Sequence, residues 1–453
     1  MSAVALPNHI PSAQLASYPV RGGNALRALV DGDRAFRRIC EAADQARHSV
    51  WVTVAFLYPD FRMPDGRSFF DVLDQAAGRG VDVRALFWRT KSEEAGHFHG
   101  HAEDHGFLTK RGARFLARWD RAEKNYCQHQ KSWLIDAGHE SEIAFVGGIN
   151  LDNPSVSASG HADRDGEHTH DVYLELRGPC ATDVHHNFVQ RWNEASERHL
   201  DGGLWAHARE HVLPFPARLS PAAGNAIVQM QRSIRAGRYS DSTATPDGAP
   251  FEIATGEHSI FEQYASAITA ARHAIYIEDQ YIASPDIVEA LHAALKRGVD
   301  VTFLAPADPE PQVKAARKRP EATPFFARVA ALGEYPNFLL AGIASPRTGA
   351  PVYVHDKIML VDDCWATIGS CNIASQSFFC DSELNASIWD EVFVRAVRAE
   401  LLKEHLGEDT THLSVRAAMK RYRDVAHANA EARAGGKRMT ALAFALDPAK
   451  YAL

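Results

Sequence analysis

The chain repeats itself, and the repeat limits what it can fold into. ARHSVWVTVAF at residues 46–56 returns as ARHAIYIEDQY at 271–281, and RGVDVRALF at 79–87 returns as RGVDVTFLA at 297–305. HQKSWLID at 129–136 returns as HDKIMLVD at 355–362. The parts recur in one order at a nearly constant offset, so the chain is two copies of one plan.

Each copy alternates strand with helix. A segment ending in Ala-Arg-His feeds a strand rich in β-branched and aromatic residues, SVWVTVAFL or AIYIEDQYI. A helix follows (SFFDVLDQAAGRG or DIVEALHAALKRG), closed by Gly80 or Gly298 as a C-terminal cap, and then another strand. After each His-Lys-Asp strand comes a second apolar strand, EIAFVGGIN or CWATIGSCN. Both end in a small pair, Gly147-Gly148 or Gly369-Ser370, with Asn150 or Asn372 two residues on. This alternation predicts an α/β fold of two similar domains, each a β-sheet flanked by helices. Residues 1–215 and 216–453 form the expected halves, joined where LDGGLWAHAREHVLPFPARLSPAAGN carries glycine and proline. Beyond residue 395 the sequence reads as a packing helix followed by a solvated, charged tail.

Within HQKSWLID, strand alternation puts His129 and Lys131 on one face. Asp136 lies an odd number of residues from His129 and points the other way, which suits bracing the backbone at the turn. His355, Lys357 and Asp362 repeat the spacing, and the six residues His129, Lys131, Asp136, His355, Lys357 and Asp362 form the candidate catalytic set, the aspartates through the backbone they brace. If a pseudo-twofold axis packs the copies together, two histidines and two lysines flank one site, and Asn150 and Asn372 add amide donors. Such a set cradles a tetrahedral anion such as phosphate. One neutral imidazole can attack phosphorus while the other protonates the leaving alcohol. The lysines supply the positive charge, so this chemistry calls for no metal and no other cofactor.

Composition narrows the partners. A net charge of −8 and a sequence pI near 6.3 leave no basic footprint, so nucleic acid is not an expected partner. No apolar run is long enough to span a bilayer, and MSAVALPNHIPSAQLASYPVR lacks the basic start and apolar block of a secretory signal. The expected location is cytoplasmic or peripheral to a membrane, with non-classical export left open. Six scattered cysteines without a CxxC pair read as reduced thiols.

The paired HxKxxxxD motifs, each followed by GG or GS and an asparagine, resemble the phospholipase D superfamily. FVGGINL, THDVYLELRGP, NFVQRWN, QRSI, IYIEDQYI, YVHDKIMLVDDCWATIGSCN and LLKEHLG extend the similarity, in order, to the larger phospholipase D enzymes over about residues 40 to 410. The resemblance implies two phospholipase D-like α/β domains, each with a mixed sheet, and an active site between them. It implies His129 as nucleophile and His355 as general acid, an order less fixed than the pair itself. Lys131, Lys357, Asn150 and Asn372 would hold the phosphoryl oxygens. Asp171 in THDV and Glu383 in DSELN would orient the histidines.

The expected activity is hydrolysis or transphosphatidylation of a glycerophospholipid at a membrane surface, giving phosphatidic acid and free headgroup through a phosphohistidine. Because both motifs lie in one chain, a monomer suffices. A phospholipid synthase, a phosphodiester nuclease and a non-catalytic lipid-binding scaffold are the alternatives. The synthases usually carry membrane helices, and intact His, Lys and Asn in both copies argue against the scaffold. The sequence departs from the family at Gln376, where many relatives have arginine, and lacks recognisable calcium- or lipid-binding modules.

Two loops invite other readings. AGHFHGHAEDHG (95–106) puts His97, His99 and His101 on alternate positions, a possible metal set, but its glycines and acids favour a loop. SASGHADRDGEHTHD (157–171) holds Asp163, Asp165 and Glu167 without the spacing of a calcium loop. The aromatics Tyr126, Trp133, Tyr353, Trp365, Phe378 and Phe379 read mostly as core, with a few available to line a lipid entry.

Overall fold

The computed structural model describes residues 4–90, 98, 102–122, 126–161, 167–196 and 211–453. In it the repeat becomes two sheets of one design. The first contains β1 (Arg21–Val30), β2 (Ser49–Val54), β3 (Asp82–Arg89), β4 (Leu116–Arg121), β5 (Ser132–Ile135), β6 (Ile143–Gly147) and β8 (Val172–Arg177), with the short β7 (Thr169–His170) just before β8. Strands β2, β3 and β4 are parallel, and β5, β6, β8 and β1 continue antiparallel from the other side of β2. The order is β4-β3-β2-β5-β6-β8-β1.

The second sheet draws on β9 (Ala226–Ile234), β10 (Glu257–His258), β11 (Ala274–Asp279), β12 (Asp300–Leu304), β13 (Phe338–Ala344), β14 (Pro351–Val354), β15 (Lys357–Val361), β16 (Trp365–Gly369), β17 (Glu383–Trp389) and β18 (Ala443–Ala445). Its order, β13-β12-β11-β15-β16-β17-β9, has the same parallel and antiparallel pairings. Strand β9 also pairs with β1, and β7 with β14, so the sheets join at two places.

Central strands β2 and β11 are buried along their whole length, as their near-continuous apolar sequences require. Helices Gly32–Gln45 and Phe69–Gly78 cover the outer face of the first sheet, and Ser259–Ala270 and Pro285–Lys296 cover that of the second. Ser68 and Ser284 cap the second helix of each pair. Gly80 (φ +87°) and Gly298 (φ +83°) end those helices in the left-handed conformation, one position past the C-cap.

Each half thus has its own outer core. A third core is shared: it joins Val146, Leu174 and Val189 of the first half to Ile358, Ala386 and Leu402 of the second. The helix Pro179–Asn193 runs through it and is buried on every side. This shared core locks the halves face to face and leaves the strand ends of both motifs at one locus.

Two boundaries differ from expectation. Residues near the N-terminus pack on the second half: Ile10 lies in its core, Asn8 Nδ2 donates to Cys364 O at 2.8 Å, and Trp389 Nε1 donates to Ile10 O at 2.8 Å. The expected solvated tail is instead structural. Helix Val415–Ala434 buries Ala418, Met419, Tyr422 and Ala426, a helical stripe hidden among charged residues, and β18 extends the sheet at β13. Among the described residues no helix is long and apolar enough to cross a membrane.

Candidate active site

The motif histidines sit just before β5 and β15, where each chain segment reaches the opposite half. His129 N–H donates to Ser382 O at 2.9 Å, and His355 N–H donates to His170 O at 2.9 Å. The side chains cross in the same way. His129 Nδ1 lies 2.9 and 3.1 Å from the Glu383 carboxylate oxygens and 3.0 Å from Ser370 O. His355 Nδ1 lies 2.6 Å from Asp171 Oδ2. Sheet register pairs Gly147 with Tyr173 and Gly369 with Asn385, so Asp171 and Glu383 are equivalent positions. Each imidazole is therefore held by the other half's carboxylate.

These partners set the tautomers. Ser370 O can only accept, so His129 Nδ1 carries the hydrogen and Nε2 keeps its lone pair. Asn150 Nδ2 lies 3.4 Å from His355 Nε2 and donates to it, which gives the same tautomer. The small-residue pairs follow from this packing. A Cβ on Gly148 would lie 2.4 Å from Asp171 Oδ1, and one on Gly369 would lie 2.2 Å from Asn385 Oδ1. Ser370 fits opposite Gly148 because its hydroxyl donates to Glu383 Oε2 at 2.5 Å.

Burial, followed by the charges of Lys131 and Lys357, holds both histidines well below the usual imidazole range. Each lysine acts on both rings, in keeping with the crossed contacts and the 3.4 Å approach of Asn150 to His355 that bring the two motifs together. Lys131 itself is pushed down to about 8, by burial first and Lys357 second. Burial raises Glu383 to about 8 and raises Asp171. Lys131 Nζ donates to His129 O at 2.9 Å; Lys357 Nζ donates to His355 O and, at 3.3 Å, to Gln280 Oε1. The site is buried, and it sets two lysines beside two imidazoles that burial and the lysine charges keep neutral. A phosphodiester anion entering it would relieve the lysine repulsion and let one ring take a proton.

The two walls differ. On the His129 side Phe56 meets the imidazole edge-on at 5.8 Å, packs on Trp88, and lies 5.5 Å from Lys131 Nζ. On the His355 side, Glu310 accepts hydrogen bonds from Gln280 Nε2 (2.7 Å), Tyr281 OH (2.7 Å) and Tyr353 OH (2.9 Å). Tyr353 stands 6.2 Å from the His355 ring.

Asp136 and Asp362 turn away from this site. Asp136 Oδ1 accepts the backbone N–H groups of Arg47, His48 and Ser49, and Asp362 accepts those of Arg272, His273 and Ala274. Both stand at positive φ, 53° and 55°. Each clamps its turn to the start of the neighbouring central strand, and neither touches the histidines.

Against known families, residues 39–192 and 264–405 match the model described as cardiolipin synthase, PLD-like domain, and residues 152–286 match that for phospholipase D. The chain belongs to the phospholipase D superfamily. Among its relatives are cardiolipin synthase A of Pseudomonas aeruginosa (strain LESB58), 26% identical over 84% of this chain and 67% of that protein, and cardiolipin synthase A of Pseudomonas putida (strain W619), 24% identical over 86% and 70%. The crystal structure of phosphatidylserine synthase from Haemophilus influenzae Rd KW20 shares the fold, with a TM-score of 0.55 over 91% of this chain and 95% of that one at 12% identity. The relatives' names speak of lipid synthesis, which supports the synthase alternative better than headgroup hydrolysis.

Among the sequence candidates, the structure brings His129, Lys131, His355, Lys357, Asn150, Asp171 and Glu383 together by direct contacts or mutual fields. Asn372 lies beside them in sequence, its Oδ1 buried without a partner. Gln376 Nε2 donates to Asp381 Oδ1 at 3.2 Å. Trp133, Trp365 and Phe378 are core residues, whereas Tyr353 faces the site. His97, His99, His101, Asp163 and Asp165 lie outside the described residues. Glu310 and Gln280 were not foreseen; Gln280 stood in a quoted block, but nothing local marks Glu310.

Proposed function

We propose that the protein is a phosphatidyltransferase of the phospholipid synthase type, moving a phosphatidyl group from one glycerophospholipid to a hydroxyl of another through a phosphohistidine on His129. One observation carries the reading: the two imidazoles, each held by the opposite half's carboxylate, share one buried site with two lysines. No hydrogen bond occupies His129 Nε2 among the described residues, which favours it as the attacking atom.

In the first step His129 Nε2 bonds to phosphorus, the bond from phosphorus to the headgroup oxygen breaks, and His355 supplies the proton the headgroup leaves with. Lys131, Lys357, Asn150 and Asn372 hold the non-bridging oxygens as charge builds. In the second step the acceptor hydroxyl gives its proton to His355, its oxygen bonds to phosphorus, and the bond to His129 breaks. Glu383 and Asp171 hold the rings and stabilise whichever imidazolium forms.

The choice of transfer over hydrolysis rests on the relatives' names and on the wall beside His355. Glu310 repels phosphate, and its oxygens with those of Tyr281 and Tyr353 offer acceptors to a hydroxyl-bearing headgroup, which suits a glycerol as leaving group and acceptor. Vesicles of phosphatidylglycerol, incubated with the protein and read by lipid mass spectrometry, test this. Cardiolipin with one glycerol released per turnover is expected. Phosphatidic acid as the main product would return the reading to hydrolysis, and no lipid turnover would overturn both.

A further inference from the structure

Behind His355, on the side away from the phosphate cradle, lies a second cluster that the reaction above does not use. We infer that Asp31, His161, His170 and Glu404 form a structural site for a divalent transition-metal cation of the zinc class, bound between the two halves. The four ligand atoms all lie within 4.8 Å of one another. His161 Nε2 is 3.5 Å from Asp31 Oδ1, 3.4 Å from His170 Nδ1 and 3.3 Å from Glu404 Oε1; His170 Nδ1 is 2.9 Å from Asp31 Oδ1 and 3.9 Å from Glu404 Oε1. A tetrahedral ion with bonds of about 2.1 Å to nitrogen and oxygen spaces its ligands about 3.4 Å apart. The separations centre on that value.

Hydrogen bonding accounts poorly for the same geometry. His161 Nε2 faces three groups at nearly equal distance, and one N–H serves only one of them well. His170 Nε2 lies 3.2 Å from Glu278 Oε2 and 3.2 Å from His405 Nε2, so it carries a hydrogen shared between them. In a neutral imidazole Nδ1 then bears a lone pair, aimed at a carboxylate oxygen 2.9 Å away. A cation between them removes the conflict. The Glu278 contact is the arrangement that orients metal-bound histidines elsewhere, a carboxylate on the ring's far nitrogen.

One further observation points to a bound cation: within the cluster itself, Asp31 Oδ2 is buried without a hydrogen-bond partner. Asp31, His161 and His170 come from the first half and Glu404 from the helix Glu391–Leu406 of the second, so the ion would staple the halves. It would also fix β7, which leads into Asp171, since Asp31 N–H donates to Asp171 O at 2.8 Å.

The alternative is a protonated, metal-free network in which His170 is an imidazolium. Elemental analysis of the full-length, untagged protein, purified without chelators, separates them. About one equivalent of one transition metal per chain is expected. Stripping it with dipicolinate should lower the melting temperature, and stoichiometric zinc should restore it; H161A and D31N should bind less than a tenth as much while H105A binds normally. Should H161A and D31N fail to fold, the metal content and zinc response of the wild-type chain decide. Less than a tenth of an equivalent, with no thermal response to added zinc, would establish the proton network and end the proposal. Metal retained in full by folded H161A and D31N would place it elsewhere and end it equally.

Discussion

Replacing Asp136 with alanine separates a bracing carboxylate from a catalytic one. Asp136 Oδ1 accepts the N–H groups of Arg47 (2.9 Å), His48 (2.7 Å) and Ser49 (3.3 Å), and Oδ2 accepts the Ser141 hydroxyl at 2.7 Å. Arg47 and His48 are exposed, so water replaces the carboxylate there at a net loss of about 1 kcal/mol each. Ser49 is buried, and its orphaned amide costs about 2 kcal/mol. Alanine at φ +53° adds about 1 kcal/mol that aspartate partly avoids. Asp136→Ala should therefore lose about 4–5 kcal/mol of stability. Urea unfolding followed by tryptophan fluorescence reads this, because Trp119 and Trp133 lie in the first-half core. Turnover per folded molecule should stay within a few-fold of wild type. An unchanged unfolding midpoint with a thousand-fold loss of kcat would refute the reasoning, since the carboxylate would then act on substrate.

The crossed carboxylates should behave in the opposite way: Asp171→Asn and Glu383→Gln should keep their unfolding free energies within about 1 kcal/mol of wild type and lose about 10^3–10^4 in kcat, as expected when a ring's tautomer and imidazolium are no longer supported. In pH profiles, kcat/KM should fall as pH rises through about 8, where Lys131 loses its proton and its charge, and Lys131→Arg should move that limb upward without changing the acid side. Because His129 is held below the usual imidazole range, its neutral form persists in acid, so activity should continue below pH 6.5. Glu310→Gln should raise KM for the acceptor alcohol several-fold while kcat/KM for an activated p-nitrophenyl phosphodiester changes little; equal loss on both would place Glu310 in the chemistry.

Much of this was legible in the chain. Duplicated strands and helix caps reflect local propensity and periodicity, which a sequence carries openly, and the repeat supplied the twofold relation. Alternation alone turned Asp136 and Asp362 away from His129 and His355. What the sequence could not show was the exchange across the interface. His129 and Glu383 are separated by most of the chain, and only the equivalent register of β6–β8 and β16–β17 reveals that each carboxylate serves the other half's ring. Glu310 stayed hidden for the same reason, reaching the site from the loop after β12. The ligands of the second cluster have no common spacing at all, since Asp31 and Glu404 come from opposite ends of the chain. The C-terminal helix reads as solvated because its buried stripe of small and apolar residues is narrow and its other faces are charged.

The central claim is that two imidazoles act on one phosphorus atom, one by bonding to it. The direct measurement is mass spectrometry of the His355→Asn protein after rapid quenching with a p-nitrophenyl phosphodiester of a short-chain diacylglycerol, a substrate whose leaving group needs no acid. With His355 absent, nothing activates the acceptor, so close to one acid-labile phosphatidyl adduct per chain should accumulate on the His129 peptide. Release of p-nitrophenol without an adduct at His129, or an adduct on another residue, would contradict the account.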